Sequence, residues 1–201
     1  FAFLGNSLLA PMAADAAFGL DEAFWDEFAA GEVEGPSVRR TLERLKAYAR
    51  AEQVDGREIG EAVRRVNVEY ARLFIGPPKP AAPPWETMYR GKDVTVGFGQ
   101  PTFEMRELLR AAGLEVRNAN NQYEDHMGIE LLYLSELCRR EAMGKGAAEV
   151  ADIAAFVERH PLSWIGPFLD RVSEAVPGGY FAGLLLVAQR VLEHHARLLA
   201  R

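Results

Sequence analysis

The sequence of 201 residues holds a single cysteine, Cys138. One thiol forms no intramolecular disulfide and builds no thiolate metal site alone, so disulfide-framed secreted folds are excluded and the cytoplasm is the expected compartment. Also missing is any apolar run near the roughly 20 residues that a bilayer-spanning helix needs. The apolar opening, Phe1 to Ala17, lacks a positive lead-in and is interrupted by Asn6, Ser7 and Pro11, so it reads as a core helix and not as an export signal. Excess positive charge is absent too. Lys and Arg number 23 against 29 Asp and Glu, a net charge of −6. That argues against a nucleic-acid binder, which needs a basic face for phosphates, and leaves room for a cationic partner. The pairs Arg39-Arg40, Arg64-Arg65 and Arg139-Arg140 sit inside helical patterns with no apolar stretch after them, so none is an export signal.

Catalytic motifs are equally scarce. Gly97-Phe98-Gly99-Gln100-Pro101-Thr102 begins like a dinucleotide fingerprint but lacks the third glycine and a preceding strand. Gly144-Lys145-Gly146 has neither the Ser/Thr nor the upstream glycine of a phosphate-binding loop, and no Gly-x-Ser-x-Gly elbow occurs. None of the four histidines has Glu three residues before it, which removes the di-iron bundle pattern. His194 and His195 diverge by about 100° on a helix, too far to share one metal. The expectation is no metal, no cofactor and no catalytic residue.

What is present is helical periodicity. Hydrophobic residues make up 49% of the chain, enough for a packed core. Val38, Leu42, Leu45 and Ala49 form one stripe after the start signal Pro36-Ser37, and Ile59, Val63, Val66, Tyr70 and Leu73 form another over 56–74. Asp21 is placed to cap a short helix carrying Phe24, Trp25 and Phe28. Further helices are expected over 103–112 with Gly113 at the stop, and over 124–142, 147–159, 163–175 and 180–199. Val94-Thr95-Val96 is the one strand-like stretch and is too short to found a sheet. The fold class read from this pattern is all-α.

Two regions break the periodicity. Between Phe74 and Trp85 lie Pro77, Pro78, Pro80, Pro83 and Pro84; proline cannot continue a helix and restricts its predecessor, so this is an extended loop. It serves either as a rigid linker between helical subdomains or as a ledge presenting Trp85 and Tyr89 to an extended ligand. The second is a polar cluster: Asn118, Asn120, Asn121, Gln122, Glu124, Asp125, His126 and Glu130. Asparagine-rich sequence ahead of a periodic helix marks a helix start, and Asp125 would stand in or near the first turn, as a cap or facing a ligand. His126 and Glu130, four apart, could pair. Gly128 costs the helix about 1 kcal/mol relative to Ala, which suggests close approach by another backbone, from a packed helix or a bound peptide.

Three stretches, in order, resemble signatures of the TorD/DmsD family of molybdoenzyme maturation chaperones, related to NarJ. They are Tyr70-Ala71-Arg72-Leu73-Phe74-Ile75-Gly76-Pro77, Ala82-Pro83-Pro84-Trp85-Glu86-Thr87-Met88-Tyr89 and Asp125-His126-Met127-Gly128-Ile129-Glu130-Leu131. Phe156-Val157, His160-Pro161-Leu162 and Trp164 continue the likeness. Two departures stand out: Thr87 replaces a serine, and Gln122-Tyr123 replaces Glu-Pro. The resemblance implies a single-domain helical bundle over residues 1–201 with a proline-rich hinge loop at about 75–100, centred on Gly76, Pro77 and Pro83. It implies a non-enzymatic cytoplasmic chaperone that binds the twin-arginine leader and apo catalytic subunit of a molybdopterin oxidoreductase, assisting cofactor insertion and proofreading before export, in a family whose members also form homodimers. The leader-binding residues it points to are Pro84, Trp85, Tyr89, Asp125, His126, Gly128 and Glu130. Glu124, Asp125 and Glu130 would supply an acidic rim for paired arginines, beside an aromatic ledge. The rival readings are a helical interaction module for an unrelated partner and a nucleotide-hydrolysing helical enzyme.

Overall fold

A computed structural model of the chain describes residues 1–30, 35–53, 58–91, 94–117, 122–144 and 150–200. Nine α-helices run through those residues: α1 (Ala2–Leu9), α2 (Glu22–Ala30), α3 (Pro36–Gln53), α4 (Ile59–Tyr70), α5 (Gln100–Ala111), α6 (Met127–Ala142), α7 (Val150–Arg159), α8 (Pro161–Ala175) and α9 (Tyr180–Leu199). Among the described residues there is no β-strand; Val94-Thr95-Val96 is irregular, and the strand-type pairing found is one isolated bridge between Trp85 and His126. The protein is all-α.

Most starts and stops follow local chemistry. Asp21 Oδ1 accepts the Ala23 N–H at 3.0 Å, fixing the entry to α2. Gly113 takes φ +66° after α5, and Leu114 N donates back to Leu109 O at 2.8 Å, the left-handed stop that glycine allows without a Cβ penalty. Two of the boundaries that differ from expectation have clear local causes. The opening helix ends at Leu9, because Pro11 bars its neighbour from helical geometry. And α6 begins at Met127, not Glu124, because 124 and 125 are drawn into a turn by bonds to another segment.

The packing divides the chain into two compact units. One comprises Phe1–Leu9, Pro83–Phe168 and His195–Arg201; the other comprises Ala10–Ala82 and Leu169–His194. The division falls within α8 and near the end of α9.

In the second of these, the predicted α3 stripe of Val38, Leu42, Leu45 and Ala49 is buried. Trp25 is fully buried and donates its indole N–H to Gly19 O at 2.9 Å. Tyr70, Phe74 and Phe181 meet edge-on or tilted, with ring centroids 5.0–5.7 Å apart, geometry that their quadrupoles favour. Glu69 is buried and accepts the Tyr180 N–H at 3.0 Å and the Phe181 N–H at 2.8 Å. A carboxylate from α4 thus caps the first turn of α9, where the free amides and the helix dipole both favour it.

In the other unit α6 is the centre. Residues 127–131 of α6 are all buried, followed by Tyr133, Leu134 and Leu137; its first half is enclosed nearly all round rather than along one stripe. Gly128 explains part of this. A Cβ on Gly128 would lie 2.7 Å from Gly5 O, and a Cβ on Gly5 would lie 2.7 Å from Gly128 O. The close backbone approach expected from this glycine is therefore to a packed helix, α1.

Candidate functional site

The sequence-predicted residues meet where the segment 83–89 is stitched to the start of α6. Met127 N donates to Pro84 O, and Glu86 N donates to Asp125 O, each at 2.9 Å. Asp125 has no exposed surface. Its Oδ2 accepts from Thr87 N at 2.9 Å and Thr87 Oγ1 at 2.6 Å, and its Oδ1 from Thr102 Oγ1 at 3.0 Å. Burial outweighs these bonds and holds the carboxyl above its ordinary value. Thr87, where the family pattern has serine, keeps the hydroxyl in use.

The cap of α6 is His126, not Asp125: its Nδ1 accepts the Gly128 N–H at 2.9 Å. An accepting Nδ1 carries no proton, and complete burial pushes this imidazole down to about 3. Glu130 does not pair with His126. It is fully buried, takes the Trp164 indole N–H at 3.0 Å, and shares a hydrogen bond with Glu86.

Glu86 and His160 extend this network. Both are buried, and His160 Nδ1 lies 2.8 Å from Glu86 Oε2. Arg90 Nε donates to Glu86 Oε1 at 2.6 Å. Burial pushes Glu86 up, but His160 and Arg90 outweigh it and hold that carboxyl below its usual range. Burial first, and the Glu86 charge second, hold Glu130 well above its usual range. The two acids are thus driven apart, Glu86 towards the ionised form and Glu130 towards the protonated one. One carboxyl atom from each and one His160 nitrogen lie within 4.8 Å of one another. Ligand spacing along the chain gave no hint of this trio, because its members come from three distant stretches.

The expected acidic rim is not where the sequence placed it. Asp125 and Glu130 are inside, and Glu124 is tied to Arg106 through two bonds of 2.8 and 3.0 Å. Pro84 is buried, while Trp85 and Tyr89 are half-buried, Tyr89 stacking on Trp164 at 5.2 Å. The Trp85 indole nitrogen is buried with no hydrogen-bond partner among the described residues. Pro83 is buried beside Pro84, whereas Gly76 and Pro77 belong to the other unit. Asn118, Asn120 and Asn121 lie outside the described residues.

Exposed aromatic surface comes instead from residues that sequence reasoning missed. Phe98, Phe103 and Tyr123 are 37%, 47% and 38% exposed. Tyr123 bridges Trp85 and Phe98, at 5.9 and 5.3 Å, and Phe98 meets Phe103 at 5.0 Å. Arg106 lies 5.9 Å from the centroids of both phenylalanines, a cation–π arrangement. The two glycines of Gly97-Phe98-Gly99 make this ridge possible. A Cβ on Gly97 would sit 3.0 Å from the Trp85 ring, and one on Gly99 would sit 2.7 Å from the Thr87 methyl. The available signal was Phe103, which falls off the Met105/Leu109 stripe of α5. Phe103 also lines a groove of about 760 Å³ between α5, α6 and α7, whose walls include Leu108, Tyr133 and Phe156 and whose lining includes Glu104, Glu107 and Asp152.

Comparison with known proteins agrees with the signatures. A family profile described as nitrate reductase delta subunit matches residues 34–170, more than half of the chain. The chaperone protein TorD of Vibrio cholerae serotype O1 is 26% identical over 132 residues, 64% of this chain and 59% of that protein. The probable Tat proofreading chaperone DmsD of Haemophilus influenzae is 23% identical over 130 residues, 65% and 60% of the two chains. The Tat proofreading chaperone DmsD of Salmonella typhimurium is 31% identical over 101 residues, 50% and 46%. The matched part of the chain thus spans about three fifths or less of these relatives' length. No helix among the described residues is long and apolar enough to cross a membrane. On this evidence the chain belongs to the nitrate reductase delta subunit family, with the TorD and DmsD chaperones among its relatives.

Proposed function

We propose that this protein is a maturation chaperone that binds the twin-arginine leader of a molybdopterin oxidoreductase and holds its apo catalytic subunit for cofactor insertion before export. The observation that carries the reading is the half-exposed aromatic ridge Trp85–Tyr123–Phe98–Phe103 running into the apolar groove beside α5. A leader joins paired arginines to an apolar stretch. The ridge and groove take the apolar part, and Glu104 and Glu107 at the groove, paired in the free protein with Arg159 and Arg110, exchange those partners for the leader's arginines by charge-assisted bonds. Asp125, His126 and Glu130 then act from inside, by fixing the 83–89 segment and with it Trp85, and Gly128 by seating α6 on α1, rather than by touching the leader.

Calorimetric titration with a synthetic leader tests this. Wild type is expected to bind one peptide, more weakly as salt rises, because exposed charge pairs are screened over about 8 Å at physiological ionic strength. Phe103→Ser is expected to weaken binding about tenfold or more, since losing one buried aromatic anchor costs over ~1.4 kcal/mol. Unchanged affinity in Phe103→Ser at an unchanged melting point overturns the assignment of the ridge.

A further inference from the structure

We propose that Glu86, Glu130 and His160 form a binding site for one divalent transition-metal ion of the Zn²⁺ class. The three residues come from the short turn Glu86–Tyr89, from α6 and from the junction of α7 with α8. An ion here would tie those elements together.

Three independent features support a metal and not a mere concentration of acid. First, the donor set is mixed and convergent: two carboxylate oxygens and one imidazole nitrogen, all within 4.8 Å of one another and all on residues that are no more than 2% exposed. Imidazole with carboxylate suits borderline divalent ions, and three protein ligands leave a position for water. Second, each carboxylate has an outer partner that orients it: Arg90 Nε on Glu86 Oε1 at 2.6 Å, and Trp164 Nε1 on Glu130 Oε2 at 3.0 Å. Ligating carboxylates in metal sites are held in this way by surrounding donors. Third, the trio borders the groove beside α5 through His160, which is among the groove's lining residues.

Without an ion, the two acids are kept together by a shared hydrogen bond, and Glu86 accepts from His160. A divalent cation would take the place of those hydrogen bonds, engaging one oxygen of each carboxylate and one ring nitrogen of His160. No electron transfer is involved.

The test uses untagged protein stripped with chelator and titrated with Co²⁺ or Zn²⁺ alone. Expected are saturation at one equivalent and a rise in melting temperature on loading. Glu130→Gln and His160→Asn, each checked for an unchanged far-UV spectrum, are expected to lose at least tenfold in affinity. Should either variant fail to fold, X-ray absorption on the Zn²⁺-loaded wild type decides, with a shell of oxygens and one imidazole expected. Absence of one-equivalent binding to wild type, full affinity in the folded variants, or a sulfur ligand from Cys138 would each overturn the site.

Discussion

The two compact units solve the burial problem in opposite ways. The unit of α2, α3 and α4 buries Trp25, Leu42, Leu45, Tyr70 and Phe181, with Thr41 and Glu69 as its buried polar residues among those described. The unit around α6 buries Glu86, Thr87, Thr102, Asp125, His126, Glu130 and His160. Burying polar and charged groups is unfavourable unless every one finds a partner. A sequence that keeps so many in one unit, when apolar residues suffice for the other, is holding a particular shape there. That shape is the 83–89 segment, the aromatic ridge beside it and the groove.

Substitutions can break or sharpen this contrast. The largest single effect is expected from Trp25→Ala in the apolar unit, where truncating a fully buried tryptophan removes about 3–5 kcal/mol. Urea denaturation checks it, and leader affinity per folded molecule should not change. Next comes Asp125→Ala, expected to cost about 1–3 kcal/mol in all, because two of the three stranded donors are hydroxyls that can turn elsewhere and the buried carboxyl's own desolvation is relieved. Asp125→Asn keeps one acceptor oxygen and is expected to lose less, about 1–2 kcal/mol. If Asp125 were only an N-cap, Asn would instead be nearly silent.

Acid sharpens the contrast further. The folded-state pKa of His126 is depressed from 6.5 to about 3, so its contribution is whole above pH 6.5 and is lost as pH falls towards 3. The slope approaches about 1.4 kcal/mol per pH unit for one proton. Asp125, held above its usual value by burial, acts in the opposite sense, favouring the fold at the acid end and less so as pH rises through its folded value. His126→Asn, which can still cap α6, is expected to flatten the acid limb between pH 6 and 4; an unchanged slope would remove the imidazole from the account. Smallest of all is Arg50→Ala, which breaks the exposed Arg50–Glu22 pair. It is expected to leave the melting temperature unmoved, as exposed pairs generally do.

How much was legible in the sequence follows the same division. The α3 stripe, the Asp21 cap, the Gly113 stop and the span of α9 were readable because each depends on neighbours within a turn or two. The family signatures located the segment 83–89 and the start of α6 for the same reason. Depth was not readable. Asp125 and Glu130 looked like a rim because carboxylates usually face water; Thr87, Thr102 and Trp164, which draw them inside, are remote in the chain. Gly97 and Gly99 looked like half a nucleotide motif, and their close packing on Trp85 and Thr87 shows only in three dimensions. The ridge was missed for the converse reason: an exposed phenylalanine resembles any other apolar residue until its surroundings are known.

Hydrogen exchange on the free protein and on its complex with a twin-arginine leader peptide tests the central claim most directly. The account predicts added protection over 83–89, 97–108 and 122–123, with α2, α3 and α4 unchanged. Protection confined to α2, α3 and α4, or none at saturating leader, would contradict it.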